Sequence, residues 1–133
     1  MAQSASEAES LFNSKQYAKA KTMYEALLKK KPNDALNNYR LARCCYELNQ
    51  YEDAVKYFER SGNRYTLKDL YLGEAYFHTY CFDLSVTAYQ TFIATLPPAD
   101  ERLEELNLKL KKSELAARLL NRVEDIAVVD SQV

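Results

Sequence analysis

The chain has 133 residues, enough for one continuous hydrophobic core and too few for two domains of ordinary size. Only two glycines and three prolines occur, a composition that indicates helices joined by tight connections rather than strands. Lys and Arg total 18 against 19 for Asp and Glu, so no net field attracts nucleic acid or an anionic membrane. No stretch reaches the ~20 apolar residues of a membrane-spanning helix. We therefore expect a soluble all-α protein without membrane insertion or nucleic-acid binding.

The N-terminal segment has the pattern of two amphipathic helices. Ser4 and Glu7 form a capping-box pattern at the start of the first helix, and the polar pair 13–14 ends it. The second helix is predicted over 17–30, where apolar residues recur at helical spacing. Pro32 cannot continue this helix, because proline lacks the backbone donor and clashes with the preceding turn.

This helical pair recurs along the chain. An aromatic residue, a small residue three positions later and a second aromatic four positions after that occur three times. The copies begin at Tyr17, Tyr51 and Phe82, at separations of 34 and 31 residues. Two helices approach to about 8–10 Å only where the side chains at the crossing are short. The predicted small crossing residues are Ala8, Ala42, Gly73, Ala20, Ala54 and Ser85, and the aromatic residues that fill the adjoining grooves are Tyr24, Phe58 and Tyr89.

Capping residues and helix breakers fall at the ends of the later helices. Asp34 is predicted to cap the first helix of the second copy, and Thr66 with Asp69 that of the third. We expect the pair 61–62, Ser-Gly, to end the second helix of the second copy, and Pro97-Pro98 to end that of the third.

Three registered copies of these patterns resemble the tetratricopeptide repeat, whose period is about 34 residues. Pro32 and Pro97 fall where that family commonly ends its second helix. The chain departs from the family pattern because no Trp occupies the early position of any first helix and the second copy is three residues short. The resemblance implies an all-α superhelix of three helix-turn-helix repeats. These cover residues 4–98, divided at about 4–33, 34–65 and 66–98.

Residues 99–125 follow a different pattern, with leucines on one face among many charges. We predict one or two helices that cap the open end of the repeat stack. For 126–133 we expect either a tail or the start of a following domain, with Ile126–Val129 as its strand. The run 118–126 resembles the N-terminal helical region of Gram-negative envelope proteins that continue into a β-propeller and a peptidoglycan-binding domain. That resemblance implies a periplasmic or outer-membrane-associated protein.

Patterns for catalysis and metal binding are weak. His78 is the only histidine, and Cys81 follows it in a predicted turn without a glycine-rich segment for an oxyanion or a phosphate. Cys44 and Cys45 are adjacent, which fits neither a metal site nor a disulfide framework. We expect three reduced, packed cysteines and predict no enzyme activity, no cofactor and no metal.

The remaining candidate is a binding surface. Stacked hairpins form a curved array whose inner face is lined by the first helix of each repeat, and such faces bind partners. Tyr and Arg are enriched at binding hot spots; the alternative is an ordinary amphipathic helix surface. The side opposite the core residues of the first helices gives the candidates Tyr39, Arg40, Arg43, Tyr46, Leu70, Tyr71, Glu74, Phe77 and His78.

One class of ligand is disfavoured by these helices. Arrays that clamp the acidic C-terminus of heat-shock chaperones use Lys, Asn and Arg along their first helices. At the corresponding positions of this chain, only Arg40 is basic. We predict instead a mixed aromatic and polar groove that binds a protein or peptide. The alternative is a structural spacer or self-association element, forming a homo-oligomer or docking on a downstream domain of its own chain. The positions compared with the clamp are Ala5, Glu9, Arg40, Leu70 and Glu74.

Overall fold

The computed structural model describes residues 4–131, and the side chains of residues 4–129. All regular structure in this part of the chain is helical, which confirms the predicted all-α class. The helices are α1 (Ala5–Asn13), α2 (Tyr17–Lys30), α3 (Ala35–Glu47), α4 (Tyr51–Arg60), α5 (Leu67–His78), α6 (Phe82–Ile93) and α7 (Leu103–Ser131).

Helices adjacent in the chain pack against each other. The pairs α1–α2, α3–α4 and α5–α6 form three hairpins, and α7 packs on α6. The first helices of the second and third hairpins, α3 and α5, also contact each other directly. The result is a tetratricopeptide-like helical array closed at one end by α7.

The helix starts follow the predicted caps in two of three cases. The Ser4 hydroxyl accepts from the Glu7 backbone N–H at 3.1 Å, and the Asp34 carboxylate accepts from the Asn37 backbone N–H at 2.8 Å. The Thr66 cap is wrong, because Thr66 already has helical φ and ψ of −64° and −32° and its side chain makes no capping hydrogen bond.

The three turns inside the hairpins share one geometry that the sequence did not reveal. Lys15, Asn49 and Tyr80 each adopt φ of about +60°. The residue after each donates its backbone N–H to a carbonyl five positions earlier, at 2.8–2.9 Å, as in a Schellman cap. This cap usually contains glycine or asparagine, so the sequence predicts the turns but does not indicate a left-handed conformation at Lys15 and Tyr80.

The prediction that Pro97 ends α6 is wrong in position. The helix ends at Ile93, and the Thr95 hydroxyl donates to the Phe92 carbonyl at 2.6 Å. A local side chain therefore satisfies one of the last carbonyls before the proline is reached.

The predicted small residues do lie at the helix crossings. Ala8, Ala20, Ala42, Ala54 and Ser85 have no exposed surface. The aromatic residues Tyr24, Phe58 and Tyr89 are also buried, at 0–2% exposure. The Ser85 hydroxyl donates to the Gly73 carbonyl at 2.7 Å and lies 2.9 Å from the Ser113 hydroxyl, which joins α5, α6 and α7.

Gly73 lies at a very close crossing. A Cβ atom at this position would lie 2.6–2.8 Å from three ring atoms of Tyr89, well inside van der Waals contact. Because Tyr89 is almost fully buried, its ring cannot move aside without disturbing α6.

We expect Gly73→Ala to lower the free energy of unfolding by about 1–3 kcal/mol through overpacking, despite the higher helix propensity of alanine. Urea unfolding followed by circular dichroism measures this change. In a Tyr89→Leu background, which removes the ring, Gly73→Ala should lower the free energy of unfolding by less, or raise it. A Gly73→Ala chain more stable than the unaltered one would contradict the close crossing.

The cysteines divide into two classes. Cys44 and Cys45 are buried in the core, and burial raises the pKa of their thiols to about 12 and about 11. Cys81 is exposed at the start of α6, so the expectation that all three are packed is wrong for this residue. Its place in the turn, rather than on a helix face toward the core, accounts for the difference.

We therefore predict that a thiol reagent at pH 8 modifies one cysteine rapidly in the folded protein and all three after unfolding, because thiolates are the reactive species. Timed labelling followed by mass spectrometry counts the modified sites. In Cys81→Ser the rapid phase should vanish. Rapid labelling of Cys44 or Cys45 in the folded chain would contradict their burial.

The C-terminal helix is longer than expected. Leu106 and Leu110 of α7 pack on Tyr89 and Phe92 of α6. The helix continues through Ser131, so the strand considered for Ile126–Val129 is wrong, and 132–133 lie outside the described residues. In the described part of the chain, no helix combines the length and apolarity needed to cross a membrane.

Candidate protein-binding surface

The predicted surface lies on α3 and α5, which are neighbours in the array. We call the nine predicted residues of these two helices the inner face: Tyr39, Arg40, Arg43, Tyr46, Leu70, Tyr71, Glu74, Phe77 and His78. Except for His78, whose side chain is 42% exposed, its members are partly to mostly buried, and the Arg43 side chain is 16% exposed. Most of them contact one another or residues of α1 and α7.

Arg43 is the centre of this surface. Its guanidinium carbon lies 4.0 Å from the centroid of the Tyr71 ring and 5.6 Å from that of Phe12, and its Nη2 lies 3.3 Å from the Glu47 carboxylate. Burial opposes the positive charge, but the hydrogen bonds and charges of Tyr71, Tyr39 and Glu47 outweigh it, so the pKa of Arg43 is raised. One side chain thus connects α1, α3 and α5.

Aromatic rings extend from Arg43 along the face. Tyr46 meets Tyr71 edge-on at 4.9 Å between centroids, and Tyr71 stacks parallel to Phe58 at 6.0 Å. Such pairs contribute about 0.5–1.5 kcal/mol beyond their area burial, so these contacts stabilise the positions of the rings.

Two predicted residues serve mainly the fold. Tyr39 stacks on Tyr65 at 4.6 Å and meets Phe58 edge-on at 5.8 Å. Leu70 packs against the second core cluster around Phe92 and Leu106. Both have most of their apolar surface occupied by other parts of the chain.

Arg40 is paired within the array. Its Nη1 lies 3.5 Å from the Glu9 carboxylate and 3.4 Å from the Tyr24 hydroxyl. The one basic residue at the positions of a carboxylate clamp therefore already has an acidic neighbour on α1. This pairing adds to the argument against an acidic C-terminus as the ligand.

A charged cluster lies where α5 meets α7. Glu74 lies 3.5 Å from Lys109, 3.3 Å from His78 and accepts a hydrogen bond from the Tyr89 hydroxyl at 3.3 Å. Burial raises the pKa of the Glu74 carboxyl, but Lys109, His78 and Tyr89 together outweigh it, so that pKa is lowered. The Lys112 amine lies 4.8 Å from the centroid of the Phe77 ring.

His78 and Cys81 do not form a nucleophile pair. The His78 ring is 3.3 Å from Glu74 and stacks on Tyr51 at 4.2 Å, with an interplanar angle of 8°. The Cys81 sulfur contacts the Thr79 carbonyl at 3.7 Å. Among the described residues, no group of His, Cys, Asp and Glu has the arrangement of a metal site.

Sequence reasoning missed the residues that border the inner face from other helices. They come from α1, α4 and α7, and the pattern of α7 was interpreted only as a cap. The spacing of Lys109 and Lys112, one turn apart on the side of α7 that flanks the packed Leu106, was the signal available. The missed residues are Phe12, Tyr51, Lys109 and Lys112, whereas Glu9 was considered only as a position of the carboxylate clamp.

Comparison with known families agrees with this architecture. Residues 11–68, from the end of α1 to the start of α5, match the family model described as tetratricopeptide repeat. The fold is a tetratricopeptide-like array. Such repeats generally mediate protein–protein interaction and are typically non-catalytic scaffolds. A search of curated proteins returns no match to this chain.

Glu74 should make stability depend on pH. A carboxyl whose pKa is lowered in the folded state stabilises the fold above its unfolded pKa, about 4.3, and this contribution is lost as the pH falls through the folded pKa. We predict that Glu74→Gln lowers the free energy of unfolding at pH 7 by about 1 kcal/mol or less, and that its difference from the unaltered chain shrinks toward pH 3.

Glu105→Gln is the matched control, because Glu105 also lies 3.5 Å from Lys109 but its side chain is 76% exposed. Urea unfolding at several pH values measures both variants. A Glu74→Gln effect that is equal at pH 7 and pH 3, or no larger than that of Glu105→Gln, would refute the proposed role of the cluster.

Proposed function

We propose that this chain binds a segment of another protein through the inner face of its repeat array, without catalysing a reaction. The observation that carries the proposal is the Arg43 stack, in which one guanidinium joins Phe12 of α1 to Tyr71 of α5. It places a preformed aromatic and cationic surface across three first helices. Arginine and tyrosine are the residue types that most often dominate binding energy.

The charges on this face favour a ligand of low net charge. Arg40 is paired with Glu9, Arg43 with Glu47, and Lys109 with Glu74 and Glu105. A strongly acidic or basic ligand would have to compete with one member of each pair. An extended peptide with aromatic or aliphatic side chains would instead pack on the Tyr46, Tyr71 and Phe77 rings, and its main chain would bond to the polar groups beside them.

The side chains of the inner face are held by contacts with one another, which lowers the entropy that they would lose on binding a ligand. Loss of side-chain freedom costs about 0.5–1.5 kcal/mol for each side chain that a complex immobilises. Because Tyr46, Tyr71 and Arg43 are already held by one another, this cost falls mainly on the ligand.

The test is selection of binding peptides from a random displayed library, followed by affinity measurement on variants. We expect Tyr71→Ala and Arg43→Ala each to weaken the selected peptides at least about tenfold, as hot-spot truncations do. Arg43→Lys should also weaken them, because lysine keeps the charge and loses the planar stack. Circular dichroism and urea unfolding of each variant show whether the fold persists.

Thr87→Ala and Lys29→Ala are the controls, because both residues are exposed on second helices. They should bind as the unaltered chain does. Equal affinity of Tyr71→Ala and the controls would contradict the proposal. A stable dimer closed by Arg40 and Tyr71 would contradict it too, since the surface would then be an oligomer interface.

The resemblance of residues 118–126 to envelope proteins extends this proposal to location. We propose that the array works in the periplasm or at the outer membrane, ahead of a β-propeller and a peptidoglycan-binding domain. The complete open reading frame tests the point: downstream sequence of those domains would support it, and a stop codon after Val133 would contradict it.

A further inference from the structure

We propose that the cavity between α5 and α7 binds one carboxylate side chain of the protein segment on the inner face, through an ion pair with Lys112. The inference rests on the proposed function and deepens it, because it requires an Asp or Glu among the apolar residues of the ligand. The cavity has a volume of about 160 Å³, and its lining includes Glu74, Phe77, Lys109, Lys112 and Ser113.

Lys112 is a cation without an acidic partner in the part of the chain that the structure describes. Its ammonium lies 4.8 Å from the centroid of the Phe77 ring, and no described carboxylate lies within ion-pair distance of it. The residues three and four positions away along α7 include no acid either: Leu108, Lys109, Leu115 and Ala116. The face of an aromatic ring attracts an ammonium but carries no net charge, so the charge of Lys112 remains available to an anion.

Lys109 lines the same cavity but already has two acidic neighbours. The carboxylates of Glu74 and Glu105 each lie 3.5 Å from its ammonium. Lys109 and Lys112 lie one helical turn apart, where like charges repel each other. A carboxylate beside Lys112 would offset this repulsion, whereas the neighbours of Lys109 leave no need for a second anion.

The walls of the cavity strengthen such an ion pair. Ser113 has no exposed surface, and Tyr89, which also lines the cavity, is 2% exposed. Opposite charges attract more strongly beside buried protein than in open water, because the effective dielectric constant is lower. Lys112 itself is exposed, so a ligand can reach it. Because Phe77 belongs to both the inner face and the cavity, neighbouring residues of one segment can supply the apolar contact and the carboxylate.

The number of unpaired charges favours a carboxylate over a phosphate. A carboxylate carries one negative charge, whereas a phosphorylated side chain carries about 1.5 to 2 at pH 7. The additional charge of a phosphate would have to compete with Glu74 and Glu105 for Lys109. A side chain can also bring its carboxylate into the cavity while the backbone stays outside, where its polar groups keep their hydrogen bonds.

Peptides selected from the displayed library and synthesised with amidated C-termini test the proposal. We expect them to share an Asp or Glu at a fixed distance from an apolar residue. Replacing that acid by Asn or Gln should weaken binding about three- to tenfold, because one ion pair is lost at a partly buried position. Fluorescence anisotropy of the labelled peptides measures the affinity.

Lys112→Met identifies the cation. Methionine keeps an unbranched apolar side chain beside Phe77 and removes the charge. The substitution should weaken the acidic peptide by the same factor as the change of its acid to an amide, and should leave the affinity of the amide peptide unchanged. Lys111→Met is the matched control, because Lys111 is exposed at the next position of α7 and does not line the cavity.

The outcomes separate this proposal from the proposed function. If Tyr71→Ala weakens the peptides and Lys112→Met does not, the inner face binds them and the carboxylate assignment is overturned. Selected peptides without a shared acid would overturn it too, as would tighter binding of a phosphoserine peptide or a requirement for a free C-terminus. Peptides insensitive to both substitutions, or a library that yields no binder, would count against the inner face as well.

Discussion

Paired helices approach each other closely only where their facing side chains are small, and this limit determines how the hairpins of the array pack. Alanine, glycine or serine occupies each crossing, and a tyrosine or phenylalanine fills the adjoining groove. Gly73 and Tyr89 show how little space remains there. Because the hairpins are so closely packed, their first helices lie near enough for Arg43 to reach rings on both neighbouring helices. The candidate binding surface is therefore a consequence of core packing as much as of its own residues.

Local features of the fold could be predicted from the sequence. The bounds of α2 follow from apolar spacing and Pro32, and the Ser4 and Asp34 caps follow from short-range hydrogen bonding. The failures also have local causes. Thr66 is already helical in backbone conformation, and the left-handed turns at Lys15, Asn49 and Tyr80 do not use glycine. Lys and Tyr rarely adopt the left-handed conformation, whereas asparagine adopts it more readily, so only Asn49 could have been predicted there.

The candidate site was predictable only in part, for a different reason. Helical periodicity identifies which side of α3 and α5 faces away from the core, and the structure brings most of those residues together. Periodicity carries no information on long-range partners, such as Lys109 beside Glu74 or Glu9 beside Arg40. Periodicity also cannot show that Leu70 packs against the cluster of Phe92 and Leu106, because that cluster forms only where α7 packs on α6.

We propose that partners bind on the first helices of the array. Nuclear magnetic resonance of the isotope-labelled chain, titrated with a selected peptide, tests it without altering any residue. We expect the largest shift changes on α3 and α5, with smaller ones at Phe12 and Lys109. Shift changes concentrated on the second helices α2, α4 and α6 would contradict it.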